Sequence, residues 1–247
     1  MRRNKEQGFC QPTLSLSKGQ TAHPADGPTG SPLPFDKLRA SGDTECMRED
    51  SERFWDERYR KEEAAPERGP AAFLVEQRRL LPARSRALDV AMGTGRNALY
   101  PASLGYEVTG IDVSGVAVAR CREEAVRLGL RIEAVQADLE SYEMASDAYD
   151  IVTDFYYLQR GLAPQLTAAL RPGGVLVFET FTTEQRQFGW GPQQEEFLLQ
   201  PGELRSLFPG LEVLAYREGL VERESERGTK AVAGLVARKA ASHGVVS

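Results

Sequence analysis

The sequence predicts an α/β protein: a parallel sheet wound with helices on both faces and ended by a β-hairpin. Strand-length apolar runs recur at "ALDVA", "EVTGID", "RIEAVQAD", "YDIVTDF" and "GGVLVFETF". Helical stretches alternate with them, at "GRNALYPASLG", "SGVAVARCREEAVRLG" and "GLAPQLTAALRPGG". Strands alternating with helices at this spacing form a parallel sheet covered on both sides. The last two runs, "LEVLAYREGLVE" and "KAVAGLVARKA", have only "RESERGT" between them, so they pair antiparallel.

Taken in order, residues 1–46 are rich in Pro, Gly, Ser and Thr without helical or strand period, the pattern of a disordered extension. Within it "LSLSKG" and "PFDKLR" are related: codons for the second, reverse-complemented and read one base in, encode the first. The expectation is an inverted repeat of the gene read through as protein, with initiation at Met47. Residues 47–82 should hold two helices. "SERFWDERYRKEE" sets Phe54, Trp55, Arg58 and Tyr59 on one face, with Ser51 as the cap. "PAAFLVEQRRLL" sets Phe73, Leu74, Gln77, Leu80 and Leu81 on one side and stops before Pro82. Such helices cover a domain edge or form a lid. The α/β domain then runs over 83–240, leaving 241–247 as a tail. Its best-specified helix follows Ser114, a cap, with Val113 and Val118 as a hydrophobic staple and Gly129 as the stop.

Composition narrows the function classes. The 247 residues are 41% hydrophobic and 27% charged with net charge -5, an ordinary globular balance. Basic and acidic residues interleave, as in "DERYRKEEAAPER", so no basic stripe offers a nucleic-acid partner. No apolar run is long enough to cross a bilayer. No apolar stretch follows "MRRNKEQGFC", a poor leader. Cys10, Cys46 and Cys121 form no C-x-x-C pair, which suits a reducing, cytoplasmic setting. The two histidines, His23 and His243, are peripheral. A Ser-His-Asp or Cys-His nucleophile therefore has no imidazole between Met47 and Lys239, and a metal site is not expected.

In an open α/β sheet, ligands sit beyond the carboxyl ends of the strands, where strand order reverses. "ALDVAMGTGRNALYPASLGYEVTGID" places Gly93 and Gly95 there, letting backbone pass close to a ligand. Asp112 ends the second strand, where a carboxylate accepts both hydroxyls of a ribose; a solvated loop residue is the plain alternative. Asp138 suits the exocyclic amine of adenine, with Leu139 on the ring; it would serve equally as a turn aspartate. Asp89 separates two cofactors. A carboxylate under the turn repels a pyrophosphate and welcomes a sulfonium nucleoside carrying an ammonium. The spacing Gly93 to Ala98 nevertheless permits a dinucleotide, so an NAD(P)-dependent oxidoreductase stays as an alternative.

"LDVAMGTGRNALYPASLGYEVTGIDVS", "QADLES", "YDIVTDF" and "LRPGGVLVFETF" resemble the successive motifs of class I S-adenosylmethionine-dependent methyltransferases. They most resemble the small-molecule branch that includes tellurite-resistance-type enzymes. Over about Ser51 to Lys239 the resemblance implies a single Rossmann-like, doubly wound seven-stranded sheet of order 3-2-1-4-5-7-6, strand 7 antiparallel. It implies S-adenosyl-L-methionine as cofactor and a small-molecule substrate. Contacts carry over to Asp89, Ala91, Gly93, Gly95, Arg96 and Asn97, to Asp112 with Val113, to Asp138 with Leu139, and to a wall at Asp154 and Phe155. Three positions depart from the family. Ala91 and Met92 stand where Gly and often Cys are usual, and Pro101 interrupts the first helix at a cost on the order of 3 kcal/mol. They motivate a second alternative, a catalytically inactive binder of the cofactor.

Methyl transfer is an in-line displacement in which alignment supplies much of the acceleration. A thiol, metalloid oxyanion or similar soft nucleophile needs no general base, which agrees with the missing histidine. If a proton must leave, Asp154, Tyr156, Tyr157 and Glu179 are the candidate catalytic groups, although the tyrosines also suit packing and Glu179 an ion pair. Phe155 or Tyr156 offers an aromatic face to the sulfonium. "TFTTEQRQFGWGPQQEEFLLQPGEL" should close the substrate side, with Arg186, Phe188 and Trp190 facing inward or serving as ordinary anchors.

Overall fold

A computed structural model describes residues 44–61, 69–83, 85–223 and 228–241, with side chains from Ser51 onward. The expected disorder and repeat before Thr44, both histidines, and the tail after Ala241 lie outside the described residues.

Seven strands form one sheet: β1 (Arg86–Val90), β2 (Glu107–Asp112), β3 (Ile132–Gln136), β4 (Tyr149–Phe155), β5 (Leu170–Phe181), β6 (Leu211–Glu222) and β7 (Thr229–Lys239). Their order is β3-β2-β1-β4-β5-β7-β6, as the resemblance implied. The first five run parallel, and β7 is antiparallel to both neighbours. Between β1 and β4 the order turns back, so a crevice opens beyond Val90 and Phe155. Buried on both faces past Asp150, β4 reads as a nearly continuous apolar run broken by Thr153 and Asp154. Those two polar residues stand at its crevice end.

The helices cover the sheet as the apolar periods require. Helix α1 (Thr44–Lys61) extends the first expected helix toward the N-terminus, so Ser51 lies inside it and caps nothing. The second expected helix is two pieces, α2 (Ala72–Glu76) and a 3-10 turn at Arg78–Leu80, because the backbone tightens at Gln77 (φ -89°, ψ 8°). Phe73 of α2 sits on the sheet where Gly234 leaves space; a Cβ there would lie 3.0 Å from the ring. Helix α3 (Arg96–Ser103) contains Pro101 and ends two residues later. The Pro101 carbonyl accepts from the Leu104 and Tyr106 amides, so the proline closes a short helix without breaking a long one. Helix α5 (Ala163–Ala169) precedes β5, and α6 (Glu203–Leu207) precedes β6.

Helix α4 (Gly115–Arg127) shows the expected termini. Ser114 Oγ accepts from the Ala117 amide at 3.1 Å. At the other end the amides of Leu130 and Gly129 reach the Ala125 and Val126 carbonyls, a Schellman turn through Gly129 at φ +67°. The same Ser114 hydroxyl donates to Asp56 Oδ1 at 2.6 Å, pinning α1 across the start of α4. Glu52 accepts from Gln136 Nε2 at 2.9 Å, a second pin. We expect Ser114→Ala to lower unfolding free energy by roughly 1–2 kcal/mol, the cost of losing a helix cap. Urea titration followed by circular dichroism measures it, and an unchanged midpoint would contradict the double role of this hydroxyl.

Candidate functional site

The crevice rests on two buried carboxylates. Asp89 of β1 is 2% exposed, and its Oδ1 accepts from the Thr153 hydroxyl on β4 at 2.6 Å. Its Oδ2, like Asp154 Oδ1, has no hydrogen-bond partner among the described residues. Burial pushes the Asp89 pKa up to about 7 against the pull of Thr153, Arg96 and the Ala98 amide, while Asp112 adds to the rise. Asp154 is raised well above the carboxylate range by burial and then by the charge of Asp89. Buried carboxyl oxygens left unpaired cost free energy that a cation or a proton offsets.

Above them runs the glycine turn. Gly93 (φ +57°) and Gly95 (φ +90°) adopt left-handed conformations, and each faces a neighbour that excludes a Cβ. At Gly93 the obstacle is the Tyr59 hydroxyl of α1, at 2.7 Å; at Gly95 it is the sulfur of Cys121, at 2.4 Å. Ala91 is also left-handed (φ +50°) although it carries a methyl group. The neighbouring Met92 is buried and fills the space that Gly110 of β2 leaves. Asp112 organises the turn from β2: its Oδ2 accepts from the Gly93 amide at 2.8 Å and its Oδ1 from the Ser114 amide at 2.9 Å. Burial raises its pKa, and those two amides oppose the rise.

A cavity of about 1490 Å³ opens over this turn, large enough for a nucleoside cofactor together with an acceptor. Its floor is Ala91, Gly93, Arg96 and Asn97, with Asp112 and Val113 beside them. Asp138 and Leu139 line one end; Asp138 Oδ1 also accepts from the Glu140 amide at 3.0 Å, as a turn aspartate does. Phe155, Tyr156 and Tyr157 line the middle, and Phe181, Trp190 and Lys230 the far end. Trp55 and Tyr59 of α1 form part of the roof, so the N-terminal helix covers the cavity as a lid would.

The structure places several of the expected site residues away from the cavity wall. Asp89, Gly95 and Asp154 do not line the cavity: the carboxylates lie beneath its floor, and Gly95 faces α4. Asn97 lines it, yet its Oδ1 accepts from the Ala71 amide at 2.9 Å, so it also anchors α2. Glu179 is fully buried and bound by Arg217, Tyr156 and Lys230, which removes it from direct contact with a substrate. Tyr157 lines the cavity, but burial and then Asp154 push its phenol pKa upward, so it makes a poor base. The closing segment lines the cavity through Phe181, Trp190, Gly191, Pro192 and Phe197, so of the three side chains expected there only Trp190 faces it. Arg186 donates to the Gln193 carbonyl at 2.9 Å, and both Arg186 and Phe188 lie off its wall. The residues sequence reasoning missed are Lys230, Phe181 and Asp56. Lys230 sits at the start of β7, where a lysine ordinarily signals only solvent.

The comparisons with known proteins agree with this geometry. Residues 87–174 match a family described as a methyltransferase domain. Over residues 87–174 the chain is therefore similar to a methyltransferase domain, and over a longer stretch to S-adenosylmethionine-dependent methyltransferases. It is 30% identical over 153 residues to Hemagglutinin 1 of Eikenella corrodens, covering 58% of this chain and 50% of that one. It is 34% identical over 111 residues to the malonyl-[acyl-carrier protein] O-methyltransferase of Enterobacter lignolyticus, covering 42% and 43%. To TehB of Haemophilus influenzae, a probable S-adenosyl-L-methionine-dependent methyltransferase, it is 26% identical over 167 residues, covering 62% and 57%. The TehB crystal structure shares the fold, with TM-score 0.58 at 20% identity, covering 76% of this chain and 66% of that one. The chain thus spans about half the length of the curated relatives it matches. The dinucleotide alternative gives way to this family match.

Within the glycine turn, the left-handed Ala91 is the strained point. Left-handed backbone costs an alanine roughly 1–2 kcal/mol, and glycine returns part of that as unfolded-chain entropy. Ala91→Gly is therefore expected to stabilise the protein by about 0.5–1 kcal/mol. A rise in the urea midpoint at unchanged slope checks it; a fall would show that the methyl group packs better than the backbone suffers.

Proposed function

We propose that the protein transfers a methyl group from S-adenosylmethionine to a small-molecule nucleophile. The observation that carries this is the pair of buried carboxylates with unpartnered oxygens beneath the glycine turn, a site short of positive charge. When bound, the cofactor supplies an activated methyl group on a cationic sulfur. Asp89 would complement the ammonium of its amino-acid tail from below the floor, through water or the loop amides. Arg96 would meet the tail's carboxylate. Asp112 keeps a second acceptor position on each oxygen for the ribose hydroxyls. Asp138 would accept from the adenine amine, with Leu139 on the ring and Ala91, Gly93, Asn97 and Val113 shaping the floor.

The chain's own contribution to rate is placement and exclusion of water. Two α1 pins, Asp56 to Ser114 and Glu52 to Gln136, hold Trp55 and Tyr59 over the cavity. Alignment of acceptor and methyl under such a roof supplies the larger part of the barrier reduction. The departures that motivated an inactive binder are absorbed by the fold: Met92 packs against Gly110, Pro101 ends α3, and Ala91 accepts a left-handed turn. The acceptor class follows from the histidine-free core, which favours a thiol, metalloid oxyanion or similar soft nucleophile. A cytoplasmic setting belongs to the same reading. Among the described residues no helix is long and apolar enough to cross a membrane, and no cluster of His, Cys, Asp or Glu could hold a metal.

Calorimetry on the full chain with S-adenosylmethionine tests the proposal. The raised Asp89 pKa means the folded protein binds more protons than the unfolded one between about pH 4 and 7. Free protein therefore loses stability as pH rises through that window. A cationic guest favours the carboxylate, so binding near pH 6 should release a proton. The release appears as a dependence of the measured heat on buffer ionisation enthalpy, and Asp89→Asn should reduce it. Asp112→Ala should weaken binding at least tenfold; unchanged affinity would overturn the assignment of the floor. Formation of S-adenosylhomocysteine with any acceptor then separates an enzyme from a binder.

A further inference from the structure

At the far end of the cavity, Tyr156, Glu179, Arg217, Lys230 and Glu76 form a group that cofactor binding does not use. Tyr156, directly after β4, is left-handed at φ +64°, a conformation bulky residues rarely adopt. The surroundings hold it there. Its amide donates to the Glu179 carbonyl at 2.8 Å, and its phenol donates to Glu179 Oε1 at 2.8 Å. Its ring packs between Phe155 (6.2 Å) and Phe181 (5.1 Å). Lys230 of β7, 3% exposed, donates to the Tyr156 hydroxyl and reaches Glu179 Oε1 at 3.5 Å. Arg217 of β6 holds Glu179 Oε2 at 2.5 Å and Glu76 of α2 at 3.1 Å. Glu76, Glu179, Arg217 and Lys230 sum to zero charge. Strain of this kind, on the order of 1–3 kcal/mol, persists where the surroundings over-determine it, and it collects at functional sites.

The cavity facing this group is aromatic and cationic. Phe181 and Trp190 meet edge to face with ring centres 5.9 Å apart. Arg223 lies 4.0 Å over the Trp190 ring, and Arg96 lies 5.4 Å over the Tyr156 ring. Flat rings suit a flat guest, and the cations suit one that bears or acquires negative charge.

We propose that the acceptor is a small aromatic compound bearing an ionisable hydroxyl or thiol, seated against Phe181 and Trp190, and that Tyr156 is the catalytic residue receiving its proton. The inference rests on the methyltransferase reading above and specifies its acceptor. As the acceptor's X–H bond breaks, its proton passes to Tyr156 Oη while the phenol's own proton passes to Glu179 Oε1. The electron pair stays on X, the phenol remains neutral, and Glu179 becomes a carboxylic acid. Lys230 and Arg217 keep their charges, so the new acceptor anion replaces the lost carboxylate and the sum stays zero. Lys230 stabilises that anion, and Glu179 acts through Tyr156. Arg96 and Arg223 favour the anion from the other sides, while buried Asp154 opposes it.

The first test needs no turnover. The full chain is titrated with 4-nitrophenol and, separately, 4-nitrothiophenol, whose anions have their own absorption bands. Bound probe should ionise at least one pH unit below free probe. Tyr156→Phe should keep the ring bound but lose most of that shift, and Lys230→Gln should lose part of it while Lys230→Arg restores it. Circular dichroism and S-adenosylmethionine calorimetry on each variant confirm an intact fold and cofactor site. Three results overturn the inference while leaving the cofactor reading standing: neither probe binds to protein that binds S-adenosylmethionine, Tyr156→Phe leaves the shift unchanged, or selenite or tellurite is methylated faster than any aromatic acceptor. Failure of S-adenosylmethionine to bind counts instead against the methyltransferase reading.

Discussion

Burying a carboxylate at the end of β1 is the constraint on which the site depends. An ionised group taken out of water loses several kcal/mol of hydration unless a partner replaces it. Asp89 has half a partner, the Thr153 hydroxyl, and beside it Asp154 has less. The sheet tolerates this because order reverses between β1 and β4, so both groups lie at an opening and not in mid-sheet. Asp89 consequently sits near neutral pKa, so a cation arriving above it would change its protonation. The same cluster of carboxylates also disfavours an anionic guest: Asp112 stands close enough to raise Asp89, and Asp89 close enough to raise Asp154.

The turn above the carboxylates is built under tension from several sides. Cys121 occupies the space a Cβ at Gly95 would need, and Tyr59 the space at Gly93. Burial and nearby Asp89 raise the Cys121 thiol to about 12, so it serves as packing and not as a nucleophile. One hydroxyl, that of Ser114, caps α4 and anchors α1, and the adjacent amide of Ser114 holds Asp112. Helix, lid and glycine turn are therefore coupled through a few short contacts. A change in the lid would be felt at the floor, since Tyr59 touches the loop that Asp112 orders.

The two ends of the cavity differ in kind. Around Asp112 and Asp138 the groups are acceptors arranged by backbone amides, with strain confined to Ala91 and the glycines. Around Tyr156 they are side chains locked to one another, and the strain falls on an aromatic residue that glycine would relieve only by deleting its phenol. Retaining tyrosine in that conformation makes sense if the phenol is needed where it points. On the proposed function, that contrast would separate a surface for the nucleoside from one for the acceptor.

Much of this was legible in the chain. The alternation of apolar runs and helices, the helix-free ending, and the Ser114 and Gly129 punctuation are local signals, and local backbone preferences decide them. Asp112 and the glycines were legible because a sharp turn at a strand end limits residue choice to a few types. Tertiary structure alone decided depth and company. Asp89 and Asp154 differ from Asp112 only by which side of the floor they occupy, and that depends on the twist and packing of neighbouring strands. Lys230 joins Tyr156 and Glu179 because β7 inserts beside β5, bringing together residues 74 and 51 positions apart. No local pattern marks such a meeting, since its physical cause is long-range strand pairing.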